Sequence, residues 1–291
     1  MIRNTAFAMF FVMNLEFVTH TSETIDAQSG TVHPEELISY WDTRADSYLD
    51  GVAGELDDDR RTAWERAIGA ECREALEFVR DTGRIPRILD LGCGPGFFEV
   101  LFAPYACSID AVDASPQMID RAVRNLKNRG IEHDTRFHVS DVTTLPFPDK
   151  TFDLAIARNV TWLLLNPEGA YAEWLRVLRP GGMLMIYDAN WYRYLFDPAI
   201  DAQRRHDQAE NYLEGWDEDA QADAAQELEF EKTSAKLPLS PILRPDWDVD
   251  TFKRLNASRV EADREAWRGI WTESERAYYG SSPMFMVKVT K

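Results

Sequence analysis

The stretch Arg87-Ile-Leu-Asp-Leu-Gly-Cys-Gly-Pro-Gly96 decides the fold class of this 291-residue chain. Its apolar run predicts a short buried β-strand, and the glycines at alternate positions predict a sharp turn into a helix that begins at Phe97. Glycine lets the backbone approach a ligand because no Cβ stands in the way. On its own, such a loop is also typical of nucleotide and dinucleotide binders, or of a tight turn that binds nothing.

Strands and helices alternate on both sides of this loop. We predict further strands at 108–112, 136–140, 152–157 and 183–187, and helices at about 60–80, 116–129 and 168–178. This alternation predicts a doubly wound α/β fold with a mostly parallel sheet that is covered on both faces. A last strand is expected at 281–289, with 259–263 as its predecessor.

The chain divides into four regions. We expect an N-terminal extension at 1–33, an N-terminal helical cap at 34–84, a core formed by 85–190 and 247–291, and an insertion at 191–246. Residues 201–231 carry eleven acidic residues against two arginines, and we expect the insertion to act as a substrate lid or a dimer contact. We expect the apolar run at 6–18 to pack on the body or on a partner subunit. Alternatively, the start codon has been placed too early and translation begins at Met13.

Composition excludes several classes of protein. Fifty acidic and 32 basic residues give a formal net charge of −18, which disfavours a general nucleic-acid binder. Three cysteines without a Cys-x-x-Cys pairing predict neither a disulfide framework nor a zinc site, and they fit the cytoplasm. No run of apolar residues is long enough to predict a membrane span, and we expect no metal cofactor. A homodimer is compatible with all of this.

Three acidic residues lie at or after the ends of the first three predicted strands. Asp90, two residues before Gly92, suits a cationic amine and would repel a pyrophosphate. Asp113 ends the next strand, where it can accept two ribose hydroxyls, and Asp141 follows the third strand, within reach of an adenine edge. The third glycine of the G-x-G-x-x-G pattern is also missing. The set therefore fits S-adenosylmethionine better than NAD.

Four motifs follow one another in order between 88 and 188. They are Ile-Leu-Asp-Leu-Gly-Cys-Gly-Pro-Gly-Phe at 88–97, Ala-Val-Asp-Ala-Ser-Pro-Gln-Met at 111–118, Asp-Val-Thr-Thr-Leu-Pro-Phe-Pro-Asp-Lys-Thr-Phe-Asp at 141–153 and Leu-Arg-Pro-Gly-Gly-Met-Leu at 178–184. These motifs resemble the class I S-adenosylmethionine-dependent methyltransferases, in the small-molecule branch that contains the ubiquinone and menaquinone methyltransferases. The resemblance implies a Rossmann-like, seven-stranded sheet with a reversed final strand, and S-adenosylmethionine as the methyl donor.

The resemblance also implies roles for individual residues. The methionine end of the cofactor would contact Asp90, Gly92, Gly94, Arg158 and Asn159, the ribose Asp113, and the adenine Ala114, Met118, Asp141 and Val142. The element Tyr40-Trp-Asp-Thr-Arg44 resembles an N-terminal motif of some relatives, in which Tyr40 and Arg44 would close over the cofactor carboxylate. A helix that is merely packed by its aromatic residues would explain this element equally well.

The acceptor side of the site is predicted from residues that follow strands four and five. Ligands of doubly wound folds bind beyond the carboxyl ends of the strands. The candidates that would face a cationic or flat acceptor are therefore Trp162, Asp188, Asn190, Trp191 and Tyr192. Their alternative role is to anchor the insertion to the body.

Methyl transfer to a small-molecule acceptor is the function that we predict, with no catalytic base identified. The donor sulfonium is already activated, so that the protein mainly aligns the nucleophile and removes water. Two alternatives stay open, namely a non-catalytic S-adenosylmethionine-binding regulatory protein and an NAD-dependent oxidoreductase. The loop spacing and Asp90 disfavour the second.

Overall fold

A seven-stranded sheet with the order β3-β2-β1-β4-β5-β7-β6 organises the fold, in a computed structural model that describes residues 31–56, 59–212 and 224–291. Strands β1 to β5 run parallel, and β7 pairs antiparallel with both β5 and β6. The strands are β1 (Arg87–Leu91), β2 (Ser108–Asp113), β3 (Thr135–Val139), β4 (Phe152–Arg158), β5 (Leu178–Asp188), β6 (Arg259–Asp263) and β7 (Phe285–Thr290).

Helices cover both faces of this sheet. They are α1 (Pro34–Leu56), α2 (Asp59–Asp81), α3 (Phe97–Phe102), α4 (Pro116–Asn128), α5 (Pro167–Val177), α6 (Pro198–Tyr212), α7 (Ala224–Ser234), α8 (Asp246–Arg254) and α9 (Glu273–Tyr278). One core layer lies between the sheet and α2 and α3, and the other lies between the sheet and α5 and α8. No helix within these described ranges combines the length and the apolar character needed to cross a membrane.

The central strands read as continuous apolar runs because both of their faces are covered. On β4, Leu154 and Ile156 pack in the layer of α2 and α3, whereas Ala155 and Ala157 pack in the layer of α5 and α8. Side chains of a strand point alternately to its two faces, so every one of these positions is buried. The predicted α/β class is therefore confirmed.

The reversed final strand is also confirmed, although two strands begin four or more residues away from the prediction. β5 begins at Leu178 rather than at 183, because Leu178 already pairs with Phe152 before an irregularity in the register. β7 begins at Phe285 rather than at 281, because the chain still turns there, with the Ser282 amide donating to the Tyr279 carbonyl at 2.8 Å. Pro283 then has no N–H to give to a strand.

Two predicted regions fall partly outside the described residues. The extension at 1–30, with its apolar run and Met13, lies outside them, and so does the middle of the acidic insertion at 213–223. The described parts of the insertion form α6 and α7, and α8 already begins at Asp246. The N-terminal helices that we predicted are present as α1 and α2.

Candidate functional site

The site lies at the carboxyl ends of β1, β2 and β4, where the order of the strands reverses direction. Ligands of open α/β sheets bind at this switch point. Gly92 and Gly94 have φ values of +69° and +52°, which L side chains rarely adopt. A Cβ on Gly92 would lie 2.4 Å from Val160 Cγ2, at the end of β4. The backbone of the loop therefore contacts the Val160 side chain directly, and only glycine fits at position 92.

Asp113 joins the glycine loop to the end of β2. Its carboxylate accepts hydrogen bonds from the Gly94 and Ser115 amides, each at 2.9 Å. Burial raises the pKa of Asp113 to about 6, although its backbone amide bonds oppose the shift. An ionised carboxylate offers about four lone-pair sites, so Asp113 keeps capacity for two further hydrogen bonds. Its contact with a ribose stays a prediction.

Asp90 is buried at the end of β1, on the face that carries α3. It is 1 % exposed, and both of its carboxyl oxygens are buried without a hydrogen-bond partner. The same holds for Glu99 on α3, which the sequence analysis missed. An acidic residue inside the apolar helix Phe-Phe-Glu-Val-Leu-Phe was the available signal. Native structures rarely leave buried polar atoms unpaired, so these oxygens indicate a ligand.

Asn159 and Arg158 close the site at the end of β4. Asn159 has a φ of +57°, and its side-chain oxygen is a further buried acceptor without a partner. Arg158 donates from Nη2 to both oxygens of Glu55, at 2.8 and 2.7 Å, and lies 4.1 Å from the centre of the Phe97 ring. Glu55, from the last turn of α1, is a second residue that the sequence analysis missed.

The predicted adenine side lies at the ends of β2 and β3. Met118 is buried in the first turn of α4 and Ala114 is half-buried just before it. Asp141 is exposed, and its carboxylate accepts from the Thr143 amide at 2.8 Å. The carbonyl of Val142 accepts from the Trp174 indole at 2.9 Å, which fixes this loop to α5. Contact of these four positions with an adenine stays a prediction.

Helix α1 brings Tyr40 and Arg44 to this end of the sheet. The helix is fixed to α4 because Ser115 donates its hydroxyl to Asp42, and Asp46 pairs with Arg121 at 2.6 Å. Tyr40 stacks on Phe230 of the insertion, with ring centroids 3.5 Å apart. Contact of Tyr40 and Arg44 with the cofactor carboxylate stays a prediction.

Two of the five predicted acceptor residues belong to a buried network. Asp188 is 0 % exposed and accepts from the Trp162 amide at 3.2 Å, the Trp191 indole at 3.0 Å and Arg244 at 3.3 Å. Asn190 exchanges two hydrogen bonds of 3.0 Å with the backbone of Arg244. In this arrangement both residues anchor the insertion, the alternative role considered from the sequence.

The other three predicted acceptor residues are aromatic and border a recess. Trp162 and Tyr192 are buried, with ring centroids 5.1 Å apart, and Trp191 is half-buried against Tyr279. The recess between them is also lined by Leu239 and Ser240 of the insertion. Whether an acceptor contacts these rings stays a prediction.

The residues at the carboxyl ends of the strands fit S-adenosylmethionine. Its α-ammonium requires hydrogen-bond acceptors, and Asp90 and Asn159 offer buried oxygens that no donor occupies. Its ribose requires a carboxylate, which Asp113 provides beside the glycine loop. A pyrophosphate, by contrast, would meet three acidic side chains here, namely Asp90, Glu99 and Asp113.

Comparison with known proteins agrees with this fit. Residues 89–186 match the family described as methyltransferase domain. An uncharacterized methyltransferase of Schizosaccharomyces pombe is 28 % identical over 70 % of this chain and 83 % of its own length. A sterol 24-C-methyltransferase of Aspergillus fumigatus is 31 % identical over 35 % of this chain, but over only 27 % of its own length. The crystal structure of an S-adenosylmethionine-dependent methyltransferase from Aquifex aeolicus has a TM-score of 0.43 and 17 % identity, and covers 75 % of this chain and 92 % of that chain.

The fold, the site and the family match define a methyltransferase with a Rossmann-like core. The chain is a class I S-adenosylmethionine-dependent methyltransferase. The ubiquinone and menaquinone branch within that class stays a prediction.

Proposed function

We propose that this methyltransferase acts on a small, flat or cationic acceptor that binds against an aromatic cluster. The cluster consists of Tyr40, Trp41, Trp162, Tyr192 and Phe230. The Phe230 ring lies parallel to Tyr40, and it meets the other three rings nearly edge-on with centroids 6.0 to 6.4 Å away. This convergence of rings beside the cofactor site is the observation that carries the proposal.

The aromatic cluster is continuous with the methionine end of the cofactor site. The Trp162 indole donates to the backbone carbonyl of Asn159 at 3.0 Å. Trp41 packs edge-on against Tyr48, and Tyr48 lies 3.4 Å from the place that a Cβ on Gly94 would take. The aromatic cluster therefore borders Asn159 and Gly94, which would hold the methionine end of the cofactor.

Aromatic rings favour two kinds of ligand. Their faces attract cations, and they stack with other flat rings. A sterol, the acceptor for which the Aspergillus fumigatus relative is named, is also an apolar ring system. The net charge of −18 further favours neutral or cationic acceptors over anionic ones.

Bound S-adenosylmethionine supplies an activated methyl group on a sulfonium. The residues of the chain then have to hold the acceptor in line with that methyl group and keep water away. Alignment of this kind lowers a barrier by roughly 7–11 kcal/mol. Buried rings at the reacting end exclude water, and we assign no catalytic base.

Two measurements test the proposed function. Calorimetry with S-adenosylmethionine, S-adenosylhomocysteine and NAD should show binding of the first two only. Transfer of a labelled methyl group should then be followed over a panel of phenols, quinols, indoles and tertiary amines, with anionic sugars as the contrasting set. Trp162→Ala should reduce transfer at least about tenfold while cofactor affinity is kept. Binding without transfer to any ring or amine would favour the non-catalytic alternative.

The three cysteines are free and buried, and we propose that the protein works in a reducing compartment such as the cytoplasm. A homodimer contact through the insertion stays a prediction.

A further inference from the structure

Two buried carboxyl groups meet beneath the glycine loop. Asp90 on β1 is 1 % exposed and Glu99 on α3 is 0 % exposed. Apart from the contact between the two groups themselves, their four oxygens are buried without a hydrogen-bond partner among the described residues. The carboxyl group of Asp90 faces that of Glu99 within hydrogen-bonding contact.

Such a pair keeps a proton near neutral pH. Burial and the facing Glu99 raise the pKa of Asp90 well above its ordinary value, and burial raises the pKa of Glu99 to about 7. Ionisation of both carboxyl groups is unfavourable when the two negative charges lie close together in a buried site. One shared proton therefore leaves the pair with a single negative charge.

The neighbouring groups do not supply a compensating cation. Asp113 adds negative charge from the end of β2, and burial keeps the pKa of the Cys93 thiol well above its ordinary value, so that the thiol is neutral. Arg158, at the end of β4, directs its Nη2 to Glu55 of α1 and lies over the Phe97 and Trp64 rings. The pair can therefore accept further hydrogen bonds that no donor in the described part of the chain supplies.

A structural role does not account for Glu99. The other five residues of α3 are apolar and buried, and a buried carboxyl group without a donor costs folding free energy. A cationic ligand would recover that cost, because a charge-assisted hydrogen bond is among the stronger polar interactions. The α-ammonium of the cofactor is the cation that Asp90 already fits.

We propose that Glu99 is a second cofactor-binding carboxyl group, which together with Asp90 releases one shared proton to solvent when the pair receives the α-ammonium group. The pair carries one negative charge and one proton before binding, and two negative charges against one ammonium afterwards. Charge and protons therefore balance, with the proton taken up by buffer. This inference rests on the cofactor and not on the identity of the acceptor.

Calorimetry in buffers of different ionisation enthalpy tests the proposal on the wild-type protein. Binding of S-adenosylmethionine at about pH 7 should release close to one proton, and affinity should increase as the pH rises from about 6 to about 8. Methylthioadenosine keeps the adenosine and a sulfur atom, as a neutral thioether, but lacks the amino-acid group with its ammonium, so its binding should release no proton. Equal release with both ligands, or none with either, would overturn the proposal.

The neutral isostere Glu99→Gln separates this role from simple packing. The introduced amide can donate to Asp90, which is then ionised before the cofactor binds, so proton release should disappear and affinity at about pH 8 should fall about tenfold. The matched control is Glu132→Gln, a change at a carboxyl group outside the site, which should keep the wild-type profile. Unchanged proton release in Glu99→Gln would contradict the proposal. Failure of methyl transfer to the acceptor panel would leave this result standing, because the readout is binding.

Discussion

Gly92 lies where the loop touches β4, and the absence of a side chain is required there for two reasons. Its φ of +69° is unfavourable for other residues, and a Cβ would come within 2.4 Å of Val160 Cγ2. We expect Gly92→Ala to lower the free energy of unfolding by about 1–3 kcal/mol. Because the loop must shift, affinity for S-adenosylmethionine should fall at least about tenfold by calorimetry.

Gly130 provides the matched control for this prediction. It has a similar φ of +64°, but a Cβ there would meet nothing within 4 Å. Gly130→Ala should therefore introduce the backbone strain without a steric clash, and cofactor affinity should stay unchanged. In the double variant Gly92→Ala/Val160→Ala the steric clash is relieved, and part of the affinity should return. If the double variant binds no better than Gly92→Ala, the clash is not the cause.

The raised carboxyl pKa values also predict how stability depends on pH. Asp113 and Glu99 titrate at about 6 and about 7 in the folded protein, above their ordinary values of 3.8 and 4.5. Between the ordinary and the raised pKa values, the folded state therefore binds more protons than the unfolded state. The free energy of unfolding consequently falls as the pH rises from about 4 to about 7. The lowered pKa of Asp110, about 2, acts only at lower pH.

Thermal unfolding of the cofactor-free protein should show this dependence. The melting temperature should decrease between about pH 5 and about pH 7, and Glu99→Gln should flatten the upper part of that decrease. A curve that rises through this range would contradict the assignment of raised pKa values to these groups.

Sequence reasoning predicted some of these residues and missed others for a physical reason. Gly92, Asp90 and Asp113 belong to a glycine loop and to acidic residues beside short apolar runs, which a local stretch of sequence displays. Glu99 and Glu55 are part of the site because of long-range contacts. Glu99 faces Asp90, and Glu55 accepts hydrogen bonds from Arg158. No local pattern encodes which buried acid faces which partner.

At the scale of elements, Arg244 connects the insertion to the body. It is 3 % exposed and bonds Asp248 of α8 at 2.7 Å, Thr161 at 2.5 Å and Asp188 at 3.3 Å. The segment around it is rich in proline, and the sequence analysis assigned it only to the insertion. The segment is in fact attached to the ends of β4 and β5 by this buried side chain, together with the Asn190 bonds to the Arg244 backbone.

Replacing Arg244 should therefore destabilise the whole core. Arg244→Met leaves Asp188 and Asp248 buried without their cation, and we expect a loss of about 3–5 kcal/mol of unfolding free energy in urea titration. Arg264, in an exposed pair with Asp246, is the control, and Arg264→Met should cost less than about 1 kcal/mol. Equal costs for the two variants would show that the buried network contributes little.

Over the whole molecule, the sheet was predictable and the placement of the insertion was not. The order of strands and the reversed β7 follow from the alternation of elements and the resemblance. The position of α7 depends on long-range contacts, such as Phe230 against Tyr40 and the Tyr194 hydroxyl donating to Glu231. The acidic composition of the insertion gave no indication of this aromatic contact.

The placement of α7 leads to a prediction about the acceptor. Phe230 is 5 % exposed and fills the centre of the aromatic cluster, so its removal opens the apolar wall beside the methionine end. Phe230→Ala should raise the KM for a ring-bearing acceptor about tenfold, since the lost ring contact is of the order of 1–2 kcal/mol. The dissociation constant of S-adenosylmethionine should rise less than this KM, because Phe230 contacts Tyr40 but packs in the aromatic cluster rather than against the acidic residues at the strand ends. Leu228, 49 % exposed on the same helix, supplies the control, and Leu228→Ala should change neither constant. If Phe230→Ala weakens cofactor binding and acceptor binding equally, α7 holds the cofactor site together rather than forming the acceptor wall.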